Sequence, residues 1–416
     1  MIALAERARA WDFDAWARYL LVLNGFLIPV TTAGVSIASG LVLLCWLLGD
    51  QYREKWETIT HNPVALLCLA LYGLLGLGIL YSPAPEGAAL AMWIKYRKLL
   101  LVPVMVTLLD DPVWRRRALY TLLGGILLTL ILSYAQALGW WPWGKAFQVD
   151  ESGRLLRDQF GYIVFNGHIT QSFFMAFLAF CCVVTARQTK RPCLRLLLGM
   201  LAALAVGNIL FLLQGRTGYL ILAVLTSLLV WRLMGRRRRV WSLAALAILA
   251  GITFLASEPL RQRIDRTWDE VRLYRFEDIP TSAGFRLEWY ANSVRLLQEN
   301  PLFGTGTGSV PEAMRRVSPG REAYVTNNPH NEYFNLGIQL GLLGMGLFSY
   351  ILYRQWRLAT ALPALEQTLA QGFVLAFAAG CLFNSLLMDF AEGHFYAYLS
   401  AVFFAGVSAK PDHATA

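Results

Sequence analysis

Residues 194–213, LRLLLGMLAALAVGNILFLL, and residues 218–234, GYLILAVLTSLLVWRLM, are two long apolar segments separated only by the sequence QGRT. An α-helix needs about 20 predominantly apolar residues to cross the hydrocarbon core of a bilayer. Two spans joined by so short a turn must cross in opposite directions. This stretch therefore predicts a polytopic, helical membrane protein.

The composition of the 416-residue chain agrees with this prediction. Hydrophobic residues make up 56% of the chain and charged residues only 15%, whereas soluble globular chains carry about 25% charged residues. A net charge of +10 would indicate nucleic-acid binding in a soluble protein. Here the basic residues lie in loops, where anchoring at the cytoplasmic surface explains them.

Apolar runs recur along the chain, and we assign twelve transmembrane helices to them. They cover residues 17–48 (a pair broken near 29–34), 63–81, 93–109, 118–138, 168–186, 194–213, 218–234, 240–256, 332–353, 368–387 and 393–407. The predicted fold class is all-α. Residues 1–256 hold the first nine spans, residues 257–329 form an extramembrane loop, and residues 330–416 hold the last three spans and a C-terminal tail.

The short loops predict the orientation of these spans. Basic residues are concentrated in loops at 115–117, 187–191, 236–239 and 354–357. These loops alternate as the positive-inside rule requires, so they are expected on the cytoplasmic side together with both termini. The loop at 257–329 then lies on the outer side.

The outer loop is expected to contain two amphipathic helices. Two sets of mostly apolar residues recur at helical spacing, Leu260, Ile264, Trp268 and Val271, and Phe285, Trp289, Asn292 and Leu296. Ser282 is expected to cap the second helix, and Asn300-Pro301 to end it. Helices of this kind, rich in Arg and Trp, commonly lie in the membrane interface.

The outer loop ends in the sequence NNPHNEY at residues 327–333. Pro329 fits the first helical position and Asn328 the cap, which would place His330 in the first turn of the next span. The positive end of the helix dipole disfavours protonation there, and a neutral imidazole is what a general base needs. The alternative is an interfacial histidine bonded to a neighbour. Asp389 or Glu392, in the outer turn between the last two spans, and Asn331 are candidates to orient His330.

Arginines at the outer ends of the spans are candidates to bind an anion. Arg216 lies in a turn with almost no loop around it, where it must snorkel to water or pair with an anion such as a phosphate. Arg286 and Arg157 lie in the outer loops, and either could be an ordinary solvated charge. Several arginines at one membrane face indicate an anionic ligand.

The sequence gives no sign of a nucleotide-binding loop or of a metal site. The sequence GTGTG at residues 304–308 does not follow a βαβ pattern, so it predicts a turn rather than a nucleotide-binding loop. No DxD-type acidic motif occurs on the outer face, which argues against a divalent metal. We expect neither a metal nor another cofactor.

These residues resemble the O-antigen ligase/polymerase superfamily, and within it the O-antigen ligases. The resemblance covers most of the chain: a dozen spans, the large outer loop, the Gly-Arg turn at residues 215–217, the sequence NPLFGTG at residues 300–306 and the sequence PHNE at residues 329–332. The last motif and the Gly-Arg turn are fairly specific to the superfamily. They do not separate ligases from polymerases or from protein O-oligosaccharyltransferases.

The resemblance implies both an architecture and a reaction. The architecture is similar to that of GT-C glycosyltransferases. The donor would be a polysaccharide on undecaprenyl pyrophosphate, and the acceptor the lipid A-core oligosaccharide, at the periplasmic face of a Gram-negative inner membrane. Transfer would invert the anomeric centre without a metal.

The resemblance also implies roles for individual residues. His330 matches the family histidine, Arg216 the Gly-Arg turn and Arg286 an arginine of the large loop. Arg157 matches an arginine before the sixth span, and Arg266 competes with Arg263 for an arginine earlier in the large loop. From another functional class, a transporter or flippase would place ionisable residues at mid-membrane. Here they lie at the outer ends of spans, which favours an enzyme.

Overall fold

The structure of the chain is a computed structural model. It describes residues 12–140, 147–149, 155–157, 161–213, 215–233, 235, 251, 261, 265, 268–274 and 281–407. Apart from residue 251, the ninth predicted span at 240–256 lies outside the described residues.

The described part of the chain is almost entirely helical. Its helices are α1 (Phe13–Leu27), α2 (Thr32–Leu48), α3 (Tyr52–His61), α4 (Pro63–Ile79), α5 (Glu86–Lys95), α6 (Leu101–Leu108), α7 (Pro112–Ala137), α8 (His168–Gln188), α9 (Pro192–Gly207), α10 (Arg216–Leu233), α11 (Ser282–Glu299), α12 (Val310–Val317), α13 (Glu332–Leu358), α14 (Ala364–Gly380) and α15 (Phe390–Phe404). Residues 268–274 are also helical. The strands β1 (Phe147–Val149) and β2 (Leu155–Arg157) form a small antiparallel hairpin, which the prediction of an all-helical fold did not include.

Not every predicted span is long enough to cross a bilayer as a single helix. In the part of the chain that the structure describes, four helices meet that criterion by length and composition, and a fifth is added if α2 and α3, bent by 119°, form one span. The four are α7, α8, α9 with the following π-helical turn (Asn208–Leu212), and α13 with the following 3-10 turn (Ala359–Ala361). The apolar helices support a membrane protein, and the number of twelve spans stays a prediction.

The fourth predicted span is interrupted. α5 ends at Lys95, a 3-10 turn covers Arg97–Leu100, and α6 then runs to Leu108. Lys98 lies in this turn and is 2% exposed. Its ammonium group donates to the carbonyl oxygen of Met388 at 3.0 Å. Because this contact is made with a distant loop, hydropathy alone did not reveal the break.

An aromatic cluster joins α8, α14 and α15 in the core. The ring of Phe395 on α15 lies 5.5 Å from that of Phe173, 5.3 Å from that of Phe177 and 6.1 Å from that of Phe373. All four side chains are fully buried. This packing fixes the ends of α14 and α15, and with them the connecting residues 381–389.

A glycine-rich loop at residues 300–309 docks into a break in α13. Gly341 has φ 63° and ψ −159°, which interrupts the helical backbone, and a Cβ there would lie 2.4 Å from the carbonyl oxygen of Leu302. Backbone hydrogen bonds join the loop to α13: Thr305 to Ile338 at 2.8 Å, Gly306 to Gln339 at 2.8 Å and Leu342 to Pro301 at 2.7 Å. The GTGTG sequence is therefore a structural turn, as predicted.

Candidate active site

α13 begins later than the sequence predicted. Its first residue is Glu332, and its N-cap is Asn331, whose side-chain oxygen accepts from the amide of Phe334 at 3.0 Å. The assignment of Asn328 as the cap and Pro329 as the first helical residue was wrong. The side-chain oxygen of Asn328 accepts from the hydroxyl of Ser385 at 2.7 Å and from the backbone amide of His330 at 2.8 Å, but no helix starts there.

His330 therefore lies outside the helix, just before its cap. Its backbone is left-handed, with φ 52°, a conformation that costs free energy for a residue with a Cβ and is often found at functional sites. Its backbone amide donates to the side-chain oxygen of Asn328 at 2.8 Å. The hydroxyl of Tyr290 donates to the carbonyl oxygen of His330 at 3.1 Å and to that of Leu382 at 2.9 Å. These contacts hold the strained backbone in place.

The imidazole ring of His330 is held by stacking. It lies 5.4 Å from the ring of Trp289, with 24° between the planes. The indole N–H of Trp289 donates to the carbonyl oxygen of Tyr324 at 2.9 Å, which fixes the indole in turn. Among the described residues, no group hydrogen-bonds to the ring nitrogens of His330. The ring is thus oriented while its nitrogens remain available.

Burial and, as the smaller cause, the nearby positive charge of Arg286 together lower the pKa of His330 to about 4. The imidazole is therefore neutral near neutral pH, which is the protonation state that the sequence predicted. The predicted cause was the dipole of a helix containing His330, whereas the cause in the structure is desolvation together with the Arg286 charge.

Arg216 and Arg286 line one cavity of about 390 Å³. The other lining residues are mostly apolar: Thr217, Leu220, Val271, Ala283, Leu287, Tyr290 and Phe383. Tyr290 connects this cavity to His330 through the hydrogen bond to the His330 carbonyl group. The cavity combines two cations with an apolar wall, which suits an amphiphile with an anionic head.

Arg216 is the first residue of α10, and its guanidinium group is paired within the protein. Its Nη2 lies 3.0 Å from Oε2 of Glu270, and the two side chains are 28% and 21% exposed. The same Glu270 oxygen accepts from the amide of Ala283 at 3.1 Å. A carboxylate thus occupies the place beside Arg216 that an anionic ligand would take.

The glycines that flank Arg216 allow two helices to approach closely. A Cβ on Gly218 would lie 2.5 Å from Cβ of Ser172 on α8, and one on Gly215 would lie 2.9 Å from the Ser172 hydroxyl oxygen. Both distances are shorter than van der Waals contact allows. The neighbour that these glycines admit is α8.

Arg286 lies one turn before Trp289 and Tyr290 on α11. Burial lowers the pKa of its guanidinium group, and the charge of Arg216 lowers it further, while Tyr290 and Glu270 act in the opposite direction. An arginine remains charged even so. Two arginines close enough to repel each other favour an anion between them.

The other predicted site residues lie apart from this group or outside the description. Arg157 is in β2, paired with Phe147, and its side chain lies outside the described residues, as does Arg266. Asn331 caps α13, and its side-chain amide group donates to the carbonyl oxygen of Leu382 at 2.9 Å. It therefore orients the loop and not the imidazole ring.

Asp389 lies beside a second cavity, which it shares with Lys98. Burial raises the pKa of Asp389, and the charges of Lys98 and Lys95 oppose this shift. Among the described contacts, none joins Asp389 to His330. The structure brings Arg216, Arg286 and His330 together and leaves Asp389 outside this group.

A buried polar cluster fixes the first turn of α13. The carboxylate of Glu332 accepts from the hydroxyl of Tyr96 at 2.7 Å and from the amides of Leu387 and Met388 at 2.9 and 3.0 Å. Glu332 is fully buried. Because it is two residues from His330, this cluster ties the position of the histidine to the connecting residues 381–389.

Sequence reasoning missed Glu270, Trp289 and Tyr290 as site residues. Trp289 and Tyr290 follow Arg286 at a spacing of three and four residues, which places all three on one face of a helix. That spacing was a usable signal. Glu270 lies 54 residues from Arg216 in the chain, and no local pattern marks it.

In the described part of the chain, no group of three or more His, Cys, Asp or Glu residues is arranged to hold a metal ion.

Residues 200–349 match the protein family described as O-antigen ligase. This range includes Arg216, Glu270, Arg286 and His330. The match supports assignment of the chain to the O-antigen ligase family. A search of curated proteins found no match.

Proposed function

From this family assignment, we propose that the chain is an O-antigen ligase. It would transfer a polysaccharide from undecaprenyl pyrophosphate to the lipid A-core oligosaccharide. The observation that carries the proposal is the shared cavity of Arg216 and Arg286, which has an otherwise mostly apolar wall and lies beside a neutral His330.

The cavity fits a lipid-linked pyrophosphate in both of its chemical parts. Guanidinium groups bind phosphate oxygens through paired N–H donors. Leu220, Val271 and Phe383 provide apolar surface for the first units of a prenyl chain. When the donor binds, its pyrophosphate would take the place of the Glu270 carboxylate beside Arg216.

The proposed reaction is a single displacement at the anomeric carbon. An acceptor hydroxyl attacks this carbon and passes its proton to an imidazole nitrogen of His330. The bond from the carbon to the pyrophosphate oxygen breaks, and its electron pair leaves with the pyrophosphate. Arg216 and Arg286 stabilise the negative charge that grows there. Attack from the face opposite the leaving group inverts the anomeric centre.

The basicity of His330 is expected to rise when the donor is bound. In the free protein, burial and the Arg286 charge lower its pKa to about 4, which makes the imidazole a weak base. A pyrophosphate beside Arg286 would offset that positive charge and would stabilise the imidazolium ion. The base would thus be strongest in the complex that reacts.

The proposed setting is the periplasmic face of a Gram-negative inner membrane. Twelve spans, cytoplasmic termini, a periplasmic loop at residues 257–329 and a GT-C-like arrangement belong to this proposal. The basic loops predicted for the opposite side support this orientation. In this orientation Arg216, Arg286 and His330 lie at one face of the membrane, which agrees with an enzyme that binds both lipid-linked substrates at that face.

The direct test is a transfer assay with purified full-length protein. Undecaprenyl-pyrophosphate glycan serves as donor and lipid A-core as acceptor, with EDTA present. His330→Ala is compared with His61→Ala, which removes an exposed histidine of α3. Loss of a positioned base typically lowers the rate about 10²–10⁴-fold. We expect that loss for His330→Ala only.

Each outcome assigns a different activity. EDTA-resistant transfer that is lost in His330→Ala supports a metal-independent ligase. Lengthening of the donor glycan without transfer to lipid A-core makes the chain an O-antigen polymerase, and transfer to an added protein makes it a protein O-oligosaccharyltransferase. The absence of turnover with every acceptor favours a transporter or flippase of lipid-linked glycan.

A further inference from the structure

A second cavity is lined by Met388 and Asp389, at the C-terminal end of the connecting residues 381–389. It has a volume of about 330 Å³, and its polar lining includes Lys95, Arg97, Lys98, Asp389 and His394. None of these residues lines the cavity of Arg216 and Arg286. The site described so far does not explain why three cations meet here.

Lys98 is accounted for by its own surroundings. Its ammonium group donates to the carbonyl oxygens of Met388 at 3.0 Å and Asp389 at 2.5 Å. The carboxylates of Glu332, Asp389 and Glu392 surround it electrostatically. Lys98 is therefore an internal cation that holds the wall of the cavity.

Lys95 and Arg97 are different, because both are exposed. In the described part of the chain, neither forms an ion pair or a hydrogen bond from its side chain, although Lys95 interacts electrostatically with Asp389. Two of the three carboxylates around Lys98 accept hydrogen bonds from the protein. Glu332 accepts from Tyr96 and two amides, and Glu392 accepts from Thr170. Asp389 alone does not balance the charges of Lys95, Arg97 and Lys98 in this cavity, and two exposed cations without a hydrogen-bonded partner in the described part of the chain point to an anion from outside the protein.

The connecting residues 381–389 contribute to both cavities. Phe383 lines the cavity with Arg216 and Arg286, and Met388 and Asp389 line the second cavity. The carbonyl oxygen of Leu382 accepts from Tyr290, the residue that also holds His330. A ligand in the second cavity therefore lies one short segment away from the donor and the candidate base.

We propose that the second cavity binds a phosphate group carried by the lipid-linked acceptor. This inference rests on the proposed transferase function. Lys95 and Arg97 contact the phosphate, and the attached glycan reaches across residues 381–389 towards His330. A phosphate contact away from the reacting hydroxyl anchors the acceptor without taking part in the chemistry. The same phosphate chemistry could instead come from a bilayer phospholipid.

The test compares the double variant Lys95→Gln/Arg97→Gln with Arg354→Gln/Arg357→Gln, a control with the same change of charge on α13. Each protein is placed in phosphatidylcholine nanodiscs. Transfer is measured with lipid A-core and with lipid A-core treated with a phosphatase. Acceptor binding is measured separately by native mass spectrometry, with phosphatidylglycerol as a competing lipid.

We expect the Lys95/Arg97 variant to raise the KM for the phosphorylated acceptor about tenfold, since charge-assisted contacts to phosphate are strong, while kcat stays the same. The dephosphorylated acceptor should bind weakly to the wild type and should be insensitive to the variant. An equal effect on both acceptors, or an equal effect of the control variant, overturns the proposal. Displacement of the acceptor by phosphatidylglycerol with equal affinity also overturns it, because it assigns the site to bilayer lipid.

The binding measurement separates this proposal from the proposed function. If no transfer occurs with any acceptor but phosphate-dependent binding is lost in the Lys95/Arg97 variant, the transferase proposal fails and the anion site stands. If transfer occurs and binding does not depend on the acceptor phosphate, the ligase stands and the second site fails.

Discussion

The Glu270 carboxylate should compete with the donor for Arg216, so removal of its charge should tighten donor binding. In Glu270→Gln, the side chain keeps an oxygen that can accept from the amide of Ala283, a contact of 3.1 Å in the wild type. The structural contact is thus preserved. Only the charge that pairs with Arg216 at 3.0 Å is lost.

The geometry sets the size of the effect. Two unit charges about 3 Å apart attract by about 5 kcal/mol at an effective dielectric constant of about 20. Solvation of the separated groups cancels most of this attraction, because the side chains are 28% and 21% exposed. An ion pair that is neither fully exposed nor fully buried contributes about 1–2 kcal/mol net. The donor no longer has to break it, so its KM should fall about tenfold.

The assay is steady-state transfer with the donor as the varied substrate. Glu299→Gln is the matched control, since Glu299 lies in the same loop and pairs with Arg316 at the surface at 2.6 Å. We expect a lower donor KM for Glu270→Gln, little change in kcat, and no change for the control. A donor KM that is unchanged or raised in Glu270→Gln would show that Glu270 orients Arg216 for the donor, which refutes the competition argument.

Three further predictions follow from the contacts of the site and of α13. Arg286→Gln removes one of the two causes that lower the pKa of His330 to about 4. The acidic limb of the pH profile of kcat/KM should therefore move to higher pH. If this limb does not move, Arg286 does not act on the base. Tyr290→Phe removes the hydroxyl that donates to the carbonyl oxygen of His330 at 3.1 Å. We expect kcat to fall about tenfold, which corresponds to a loss of about 1.4 kcal/mol. A kcat equal to that of the wild type would argue against a role of this hydrogen bond in positioning His330. Gly341→Ala places a Cβ 2.4 Å from backbone of the docked loop at φ 63°, and it should destabilise the protein by about 3 kcal/mol or more in thermal unfolding in detergent. Gly346→Ala, on the same helix with open space around it, should be neutral, and equal loss in both variants would contradict the role of the break.

Local patterns predicted the elements whose ends are set by local chemistry. The helix with Arg286 was expected to have Ser282 as its cap and to end at Asn300-Pro301, and it covers Ser282–Glu299. Only its cap differs by one residue, since Thr281 and not Ser282 accepts from the amide of Gly284. Capping and termination depend on a few neighbouring residues, so sequence is sufficient there.

The start of α13 shows where local patterns fail. Asn328 and Asn331 are both good caps, and Pro329 favours the earlier start. In the structure the side-chain oxygen of Asn328 accepts from the backbone amide of His330, which is left-handed and not helical, and from Ser385, 57 residues away. The pairing of Glu270 with Arg216 likewise joins two residues that are far apart in the chain. Sequence identified Arg216, Arg286 and His330 as candidates, but which side chain lies against each of them is a property of the tertiary structure.

The break in α13 also has a consequence for how the chain folds in the membrane. Inside hydrocarbon, a backbone N–H without a partner costs several kcal/mol. The amides of Leu342 and Leu343 donate to carbonyl groups of Pro301 and Leu302 and not to their own helix. The loop that supplies these acceptors also binds the carbonyl oxygen of Gly78 on α4, through the amide of Thr307 at 2.9 Å. α13 therefore reaches its final conformation only when residues 301–307 have docked both on it and on α4, a helix from a much earlier part of the chain.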